Sequence, residues 1–126
     1  MVIQNYSRAI DRKQFAVHFD PANLVNSPER YYHNGELIRE FTSRLGPHIK
    51  SCHARDVVLA ARHLPLHLDE CRPGLGYLNY RVFLQELQRV DPDMPLMLEH
   101  LTCEEDYTLA AEYIRTVAHD VGVPLS

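Results

Sequence analysis

The chain has 126 residues, of which 45% are hydrophobic and 24% charged, and its formal net charge is −4. This length fits a single domain and leaves no room for two, and the composition is typical of a globular protein with an apolar core. A chain of net negative charge lacks the basic surface of a nucleic-acid binder. No segment reaches the ~20 apolar residues of a membrane span or shows a signal-peptide pattern, so we expect a cytoplasmic protein with no membrane partner.

The cysteines are odd in number and match no paired disulfide or metal-binding spacing; they are Cys52, Cys71 and Cys103. We interpret them as reduced thiols. The alternative for Cys52, which directly precedes His53, is a catalytic nucleophile. No Cys–His–Asn arrangement accompanies it, so the sequence favours the plain interpretation.

The first part of the chain is predicted to contain a strand between two helices. Residues 4–13 are typical of a helix end, and residues 15–20 (FAVHFD) of a short buried strand. Ser27 is expected to cap the next helix, which begins at Pro28. Its apolar residues recur at helical spacing until Gly46-Pro47 ends the helix: Leu37, Ile38, Phe41 and Leu45.

A second strand is predicted over residues 48–54 (HIKSCHA). The stretch from Arg55 to Tyr77 has no clean helical period and contains several helix breakers: Pro65, Pro73, Gly74 and Gly76. It is predicted to be a long excursion with a short hairpin around LPLHLDE (64–70). Long irregular loops in compact domains are usually functional.

The last third is predicted to be helix, strand and helix. Asn79 is expected to cap the first of these helices, and PLMLEHL (95–101) is a continuous apolar run of buried-strand type. Thr102 and Glu105 form a predicted capping box for the final helix, which ends at Gly122. That helix is expected to bury one apolar face: Leu109, Ala110, Tyr113, Ile114, Val117 and Val121.

Strands that alternate with helices predict an α/β fold with a parallel sheet and right-handed crossovers. In such sheets ligands bind at the C-terminal ends of the strands. Each predicted strand ends in a side chain that can bind a metal, namely Asp20, His53 and Glu99. Two carboxylates and one imidazole suit a divalent ion such as Mn, Mg, Co or Zn.

Each of these residues also has a plain interpretation. Asp20 could simply cap the turn after its strand, and His53 could be a hydrogen-bonded structural residue. Glu99 is harder to explain in this way, because an acid within an apolar run needs a cation, a proton or a hydrogen-bond partner. Their coincidence at equivalent strand ends favours a metal site.

The remaining histidines are predicted to have structural or solvent-exposed positions. His18 is expected to pack within the first strand. His100 should point to the opposite side of its strand from Glu99, as a packing residue or as a residue that supports a metal ligand. Three others are expected in solvated helices or loops: His33, His63 and His119.

Three polar residues of the long loop are predicted to contact substrate, since this loop should lie over the strand ends: His67, Glu70 and Arg72. The alternative is an ordinary polar loop. The pair Gly74 and Gly76 lacks the strand-before, helix-after context of a phosphate-binding motif.

The chain resembles the C-terminal portion of the xylose-isomerase-like sugar-phosphate isomerases and epimerases from about Phe15 onward. The resemblance lies in five segments, which occur in the order and spacing of that family: FDPANL (19–24), GPHIKSCHARDVVL (46–59), DECRPGLGYLNYRVFLQEL (69–87), DPDMPLMLEHL (91–101) and EEDYTLAAEYIR (104–115).

This resemblance implies a (β/α)8 TIM barrel in which residues 1–126 are the C-terminal part, about strands six to eight with their helices. The family holds one divalent ion by Glu, Asp, His and a second Glu, and the last three fall on Asp20, His53 and Glu99. Glu99 would also be catalytic, as one half of the acid/base pair that moves a proton beside the sugar carbonyl.

The resemblance also implies two substrate-binding residues. Asn23 falls where many relatives have a substrate-binding His, and Arg55 falls where relatives often have Lys. Asp56 would be a supporting group beside them. The implied substrate is a small sugar or sugar phosphate, converted by a metal-dependent isomerase or epimerase.

Part of the family pattern has no counterpart here, because a barrel of this kind takes ~250 residues. Five strands, the first metal-binding Glu and the partner acid/base group are missing from the pattern. We therefore expect a truncated reading frame, self-association, or a second chain that supplies the missing half of the barrel.

Two alternatives belong to other classes. One is an inactive or partner-dependent barrel fragment that keeps a weak metal site. The other is a metal-dependent hydrolase like the apurinic endonucleases, which share the barrel but use more metals and more His ligands. These also need a positive surface toward DNA, which a chain of charge −4 does not indicate.

Overall fold

The structure is a computed structural model that describes residues 16–61 and 66–125. The predicted helix end at residues 4–13 lies outside the described residues, as do Phe15 and His63. Five strands are present within them: β1 (Val17–Phe19), β2 (Ile49–Ala54), β3 (Asp56–Leu59), β4 (Leu68–Cys71) and β5 (Leu96–Leu98).

Three of these strands form a parallel sheet in the order β1-β2-β5. Phe19 pairs with Cys52, which pairs in turn with Leu96 on the other side. The predicted parallel sheet is therefore confirmed, and the C-terminal ends of its three strands lie along one edge. β1 and β5 are the outer strands, and within the described residues neither pairs with a further strand.

In the described part of the chain, four α-helices accompany the sheet: α1 (Pro28–Tyr32), α2 (Asn34–Leu45), α3 (Tyr80–Val90) and α4 (Glu104–Asp120). The predicted caps at Ser27 and Asn79 are confirmed, since their side chains accept hydrogen bonds from the N–H groups of Arg30 and Val82. The single helix predicted from Pro28 is broken by a turn at His33.

The core lies between the sheet and its helices. The rings of Phe19 and Phe41 stack with centroids 4.3 Å apart, and Phe83 meets Phe19 edge-on at 5.8 Å. Full burial of such a side chain contributes about 1.5–3 kcal/mol. On the other face of the sheet His18 is exposed beside Ser51, so the prediction that His18 is packed is wrong.

The remaining two strands, β3 and β4, form an antiparallel hairpin within the long excursion. The predicted hairpin is present, but its first strand lies upstream of the segment in which it was expected. The all-parallel arrangement is therefore a property of the central sheet alone.

The carboxylate of Asp56 orders the loop after this hairpin. It is fully buried and accepts four backbone hydrogen bonds of 2.9–3.1 Å, from Val57, Gly74, Gly76 and Leu78. Burial raises the pKa of Asp56, and the four N–H groups oppose that rise. This supporting group therefore acts on the backbone of residues 74–78.

Two predictions for the last helix are wrong. Cys103 is the N-cap residue, so the predicted capping box is shifted out of register, and the Thr102 hydroxyl donates instead to Asp106. Leu109 is exposed, because the buried face of α4 consists of other residues, namely Ala110, Ile114, Val117 and Ala118.

No helix in residues 16–61 and 66–125 has both the length and the apolar character needed to cross a bilayer.

Candidate functional site

Asp20 directly follows β1 and is largely buried. One carboxylate oxygen accepts from the backbone N–H of Ala22 at 3.1 Å, which caps the short 3-10 turn Pro21–Leu24. The other oxygen accepts from the side-chain amide of Asn23 at 3.2 Å. The plain role of Asp20 as a cap is therefore confirmed, and its second oxygen faces the strand ends.

His53 lies in β2 between two carboxylates. Its Nδ1 is 3.7 Å from Oδ2 of Asp20, and its Nε2 contacts Oε1 of Glu99. The ring also meets His18 edge-on, with centroids 3.8 Å apart. The structure thus brings together the three predicted metal ligands, with His53 in the middle.

Arg55 links two acidic residues across the site. Its Nε donates to Glu70 at 2.8 Å, and one terminal nitrogen donates to Asp20 at 2.7 Å and to Asn23 at 2.9 Å. The Glu70 and Asp20 carboxylates raise the pKa of Arg55, and the guanidinium lowers the pKa of Glu70 in return. The Tyr80 hydroxyl donates to the Arg55 carbonyl and holds its backbone.

His100 is placed differently from its prediction. Its Nδ1 lies 3.2 Å from Glu70 and its Nε2 lies 3.2 Å from Oε2 of Glu99. The φ angle of His100 is +61°, so the chain leaves the strand geometry there and side chains no longer alternate. A left-handed histidine has no signal in the apolar pattern around it, so the predicted direction of this side chain is wrong, whereas the alternative of a supporting residue accords with its contact with Glu99.

These contacts close into one circle, which we call the site ring. It runs through Asp20, Arg55, Glu70, His100, Glu99 and His53, and returns to Asp20. Carboxylates alternate with nitrogen-bearing side chains around it. Three carboxylates therefore alternate with one guanidinium and two imidazoles.

A cavity of about 260 Å³ adjoins the ring. Its lining includes two ring members and two polar residues beyond them, namely Glu70, His100, Arg72 and Asp106. The Nε of Arg72 is buried and has no hydrogen-bond partner in the described part of the chain, the nearest carboxylate oxygen being 3.5 Å away on Asp106. A buried donor of this kind can serve a ligand oxygen.

The five residues predicted to contact substrate are therefore differently placed. Glu70 and Arg72 line the cavity, whereas Asn23 and Arg55 are engaged with Asp20. His67 is exposed, and its carbonyl accepts from Ala60 toward the turn of the hairpin. Contact of these residues with substrate stays a prediction.

A divalent ion suits the chemistry of the ring, because two carboxylates and an imidazole meet there. Across residues 16–61 and 66–125, however, no three His, Cys, Asp or Glu side chains are already spaced to hold an ion. The donors are joined to one another by hydrogen bonds and ion pairs instead. A bound ion would therefore replace the contact between His53 and Glu99.

The cysteines near the ring are unsuited to nucleophilic chemistry. Burial, with a smaller effect of the Asp20 charge, raises the pKa of Cys52 to about 12. Burial likewise raises the pKa of Cys71 to about 12. A thiol of this pKa is almost entirely protonated near neutrality, so the structure favours the plain interpretation of Cys52.

No protein-family model and no curated protein sequence matches the chain. Among solved structures, a xylose isomerase domain protein from Planctomyces limnophilus aligns with a TM-score of 0.71 at 19% sequence identity. The alignment covers 95% of this chain and 41% of that protein, so the chain spans less than half of the neighbour's length. At this identity the likeness shows a shared fold of helices around a parallel sheet.

Proposed function

We propose that the chain is part of a metal-dependent isomerase or epimerase of small sugars or sugar phosphates. One observation carries the proposal: three ligand-capable side chains from three parallel strand ends, Asp20, His53 and Glu99, meet around one imidazole. The fold shared with a segment of a xylose isomerase domain protein supports it. Three free cysteines accord with action in the cytoplasm.

In this proposal Asp20, His53 and Glu99 hold one Mn, Mg, Co or Zn ion. When bound, such an ion polarises a substrate oxygen. Glu99, as one half of an acid/base pair, removes the proton from the carbon beside the carbonyl; a proton returns at the neighbouring carbon while the adjacent hydroxyl proton passes to the former carbonyl oxygen. Arg55 keeps the carboxylates of Asp20 and Glu70 in fixed orientation.

The substrate occupies the cavity beside the ring. Arg72 and Glu70 line this cavity, where the Arg72 guanidinium donates to a substrate oxygen and Glu70 accepts from a hydroxyl group. Asn23 and Arg55 beside Asp20, and His67 on the hairpin, are the further residues proposed to contact the sugar.

The site is completed by further strands, which self-association or a second chain would supply. Among the described residues no further strand pairs with the outer edges of β1 and β5, and Met97 on one face of the sheet is 43% exposed. A partial (β/α)8 barrel, equivalent to about strands six to eight, accounts for both features.

The test is deuterium exchange in D2O, monitored by NMR on a panel of free and phosphorylated aldoses and ketoses. The full chain at concentrations where it associates, with Mn²⁺ added, should place deuterium beside the carbonyl. Glu99→Gln should abolish the exchange, whereas His119→Asn, at a side chain 91% exposed, should not. A chain that binds ion and sugar without exchange would instead be an inactive fragment.

A further inference from the structure

We infer that His100 is an additional ligand of the divalent ion, beside Asp20, His53 and Glu99. The inference rests on the proposed function and extends its metal site by one residue. It would give the chain an imidazole in addition to the three ligands predicted at its strand ends.

The geometry that carries this inference is the shared carboxylate of Glu99. Its Oε1 contacts Nε2 of His53, and its Oε2 lies 3.2 Å from Nε2 of His100. Two imidazole nitrogens are therefore directed at the two oxygens of one carboxylate. An ion bound by Glu99 would have to draw both nitrogens toward it, and the 56% exposure of the His100 side chain leaves that side chain room to move.

The backbone conformation of His100 fixes the position of its imidazole. A φ angle of +61° is uncommon for a residue other than glycine, and such a conformation persists where the surrounding structure holds it. On the side of the imidazole away from Glu99, Nδ1 of His100 lies 3.2 Å from Oε1 of Glu70. A carboxylate on the second nitrogen of a metal-binding histidine orients the ring and increases its basicity.

The donor set of the site ring suits a divalent cation. Asp20, Glu70 and Glu99 provide carboxylate oxygens, and His53 and His100 provide imidazole nitrogens. Two imidazole ligands favour Zn²⁺ or Co²⁺ over Mg²⁺, which prefers oxygen ligands and bound water.

The experiment is a titration of the full chain with Co²⁺, monitored by calorimetry and by visible absorption. His100→Asn removes the imidazole while tolerating a positive φ, and His100→Gly serves as a second variant should the first fold poorly. We expect a roughly tenfold to hundredfold loss of Co²⁺ affinity in either variant. His119→Asn is the matched control and should bind as the parent does.

Proton NMR of the Co²⁺-bound chain gives an independent count of the histidine ligands. Two hyperfine-shifted imidazole N–H signals are expected in the parent and one in His100→Asn. Unchanged affinity and an unchanged signal count in both His100 variants would overturn the inference. If Asp20→Asn and His53→Asn abolish binding while the His100 variants do not, the inference fails and the proposed three-residue site stands. If the parent chain binds no ion, both the His100 inference and the proposed three-residue metal site are contradicted.

Discussion

The backbone N–H of Gly76 donates to the buried carboxylate of Asp56 at 3.1 Å, and a Cβ at Gly76 would lie only 2.2 Å from the other oxygen of that carboxylate. The loop after the hairpin is therefore built around one acidic side chain and requires glycine at this position. Since Arg55 directly precedes Asp56, the same segment orients the guanidinium toward Asp20 and Glu70. A structural residue thus supports the site ring without contacting substrate.

Replacement of Asp56 by Asn should destabilise the protein. The amide places an NH2 group where one oxygen now accepts backbone hydrogen bonds, so two donors would face each other in a buried position. We expect the free energy of unfolding to fall by about 2–3 kcal/mol, measured by urea denaturation. Asp69→Asn, on an exposed residue of β4, is the control and should change it by less than about 0.5 kcal/mol.

Arg55→Lys should loosen the site ring although it keeps the charge. The side chain is only 13% exposed and donates to both Glu70 and Asp20, whereas a single ammonium lacks the planar fork that joins them. We expect a loss of about 1–2 kcal/mol in unfolding free energy. Arg81→Lys, at an exposed residue, should have no measurable effect. An equal loss of unfolding free energy in the two variants would argue against a stabilising link from Arg55 to Asp20 and Glu70.

The three cysteines should differ in their reaction with iodoacetamide at pH 8. Cys103 is exposed, whereas the pKa values of Cys52 and Cys71 are raised to about 12 by burial. Because the thiolate is the reactive form, labelling of Cys52 and Cys71 in the native protein should be far slower than labelling of Cys103. Peptide mass spectrometry measures each rate. Rapid labelling of Cys52 would reopen its interpretation as a nucleophile.

The chain should self-associate through the open edge at β5. A groove of about 500 Å³ runs beside this strand and is lined in part by Leu96, Leu98, Ile114 and Leu125. Size-exclusion chromatography with light scattering, over a dilution series, should show species larger than the monomer. Leu125→Glu should weaken this association without loss of fold, whereas Leu66→Glu on the hairpin should not. A stable monomer at every concentration would contradict the prediction.

The site residues that sequence reasoning found are those that depend on strand order alone. Parallel strands bring their C-terminal ends to one edge, so Asp20, His53 and Glu99 could be placed together from the alternation of strands and helices. The caps at Ser27 and Asn79 were equally predictable, because both depend on residues only three positions apart.

The features that were missed depend on single backbone angles or on distant segments. His100 joins the ring because its φ angle is positive, which no hydrophobic period indicates. The contact of Arg55 with Glu70 needs the β3–β4 hairpin, whose first strand was not predicted. The capping box failed because the helix begins one residue later than the motif requires.

The most direct test of the metal site is the number of Mn²⁺ ions bound per chain, determined by native mass spectrometry of the full chain with added Mn²⁺. We predict one ion per chain, lost in Glu99→Gln and His53→Asn and retained in His119→Asn. Two or three ions would favour a hydrolase of the apurinic-endonuclease type. No bound ion in the parent at any Mn²⁺ concentration tested would contradict the metal site and the proposed function together.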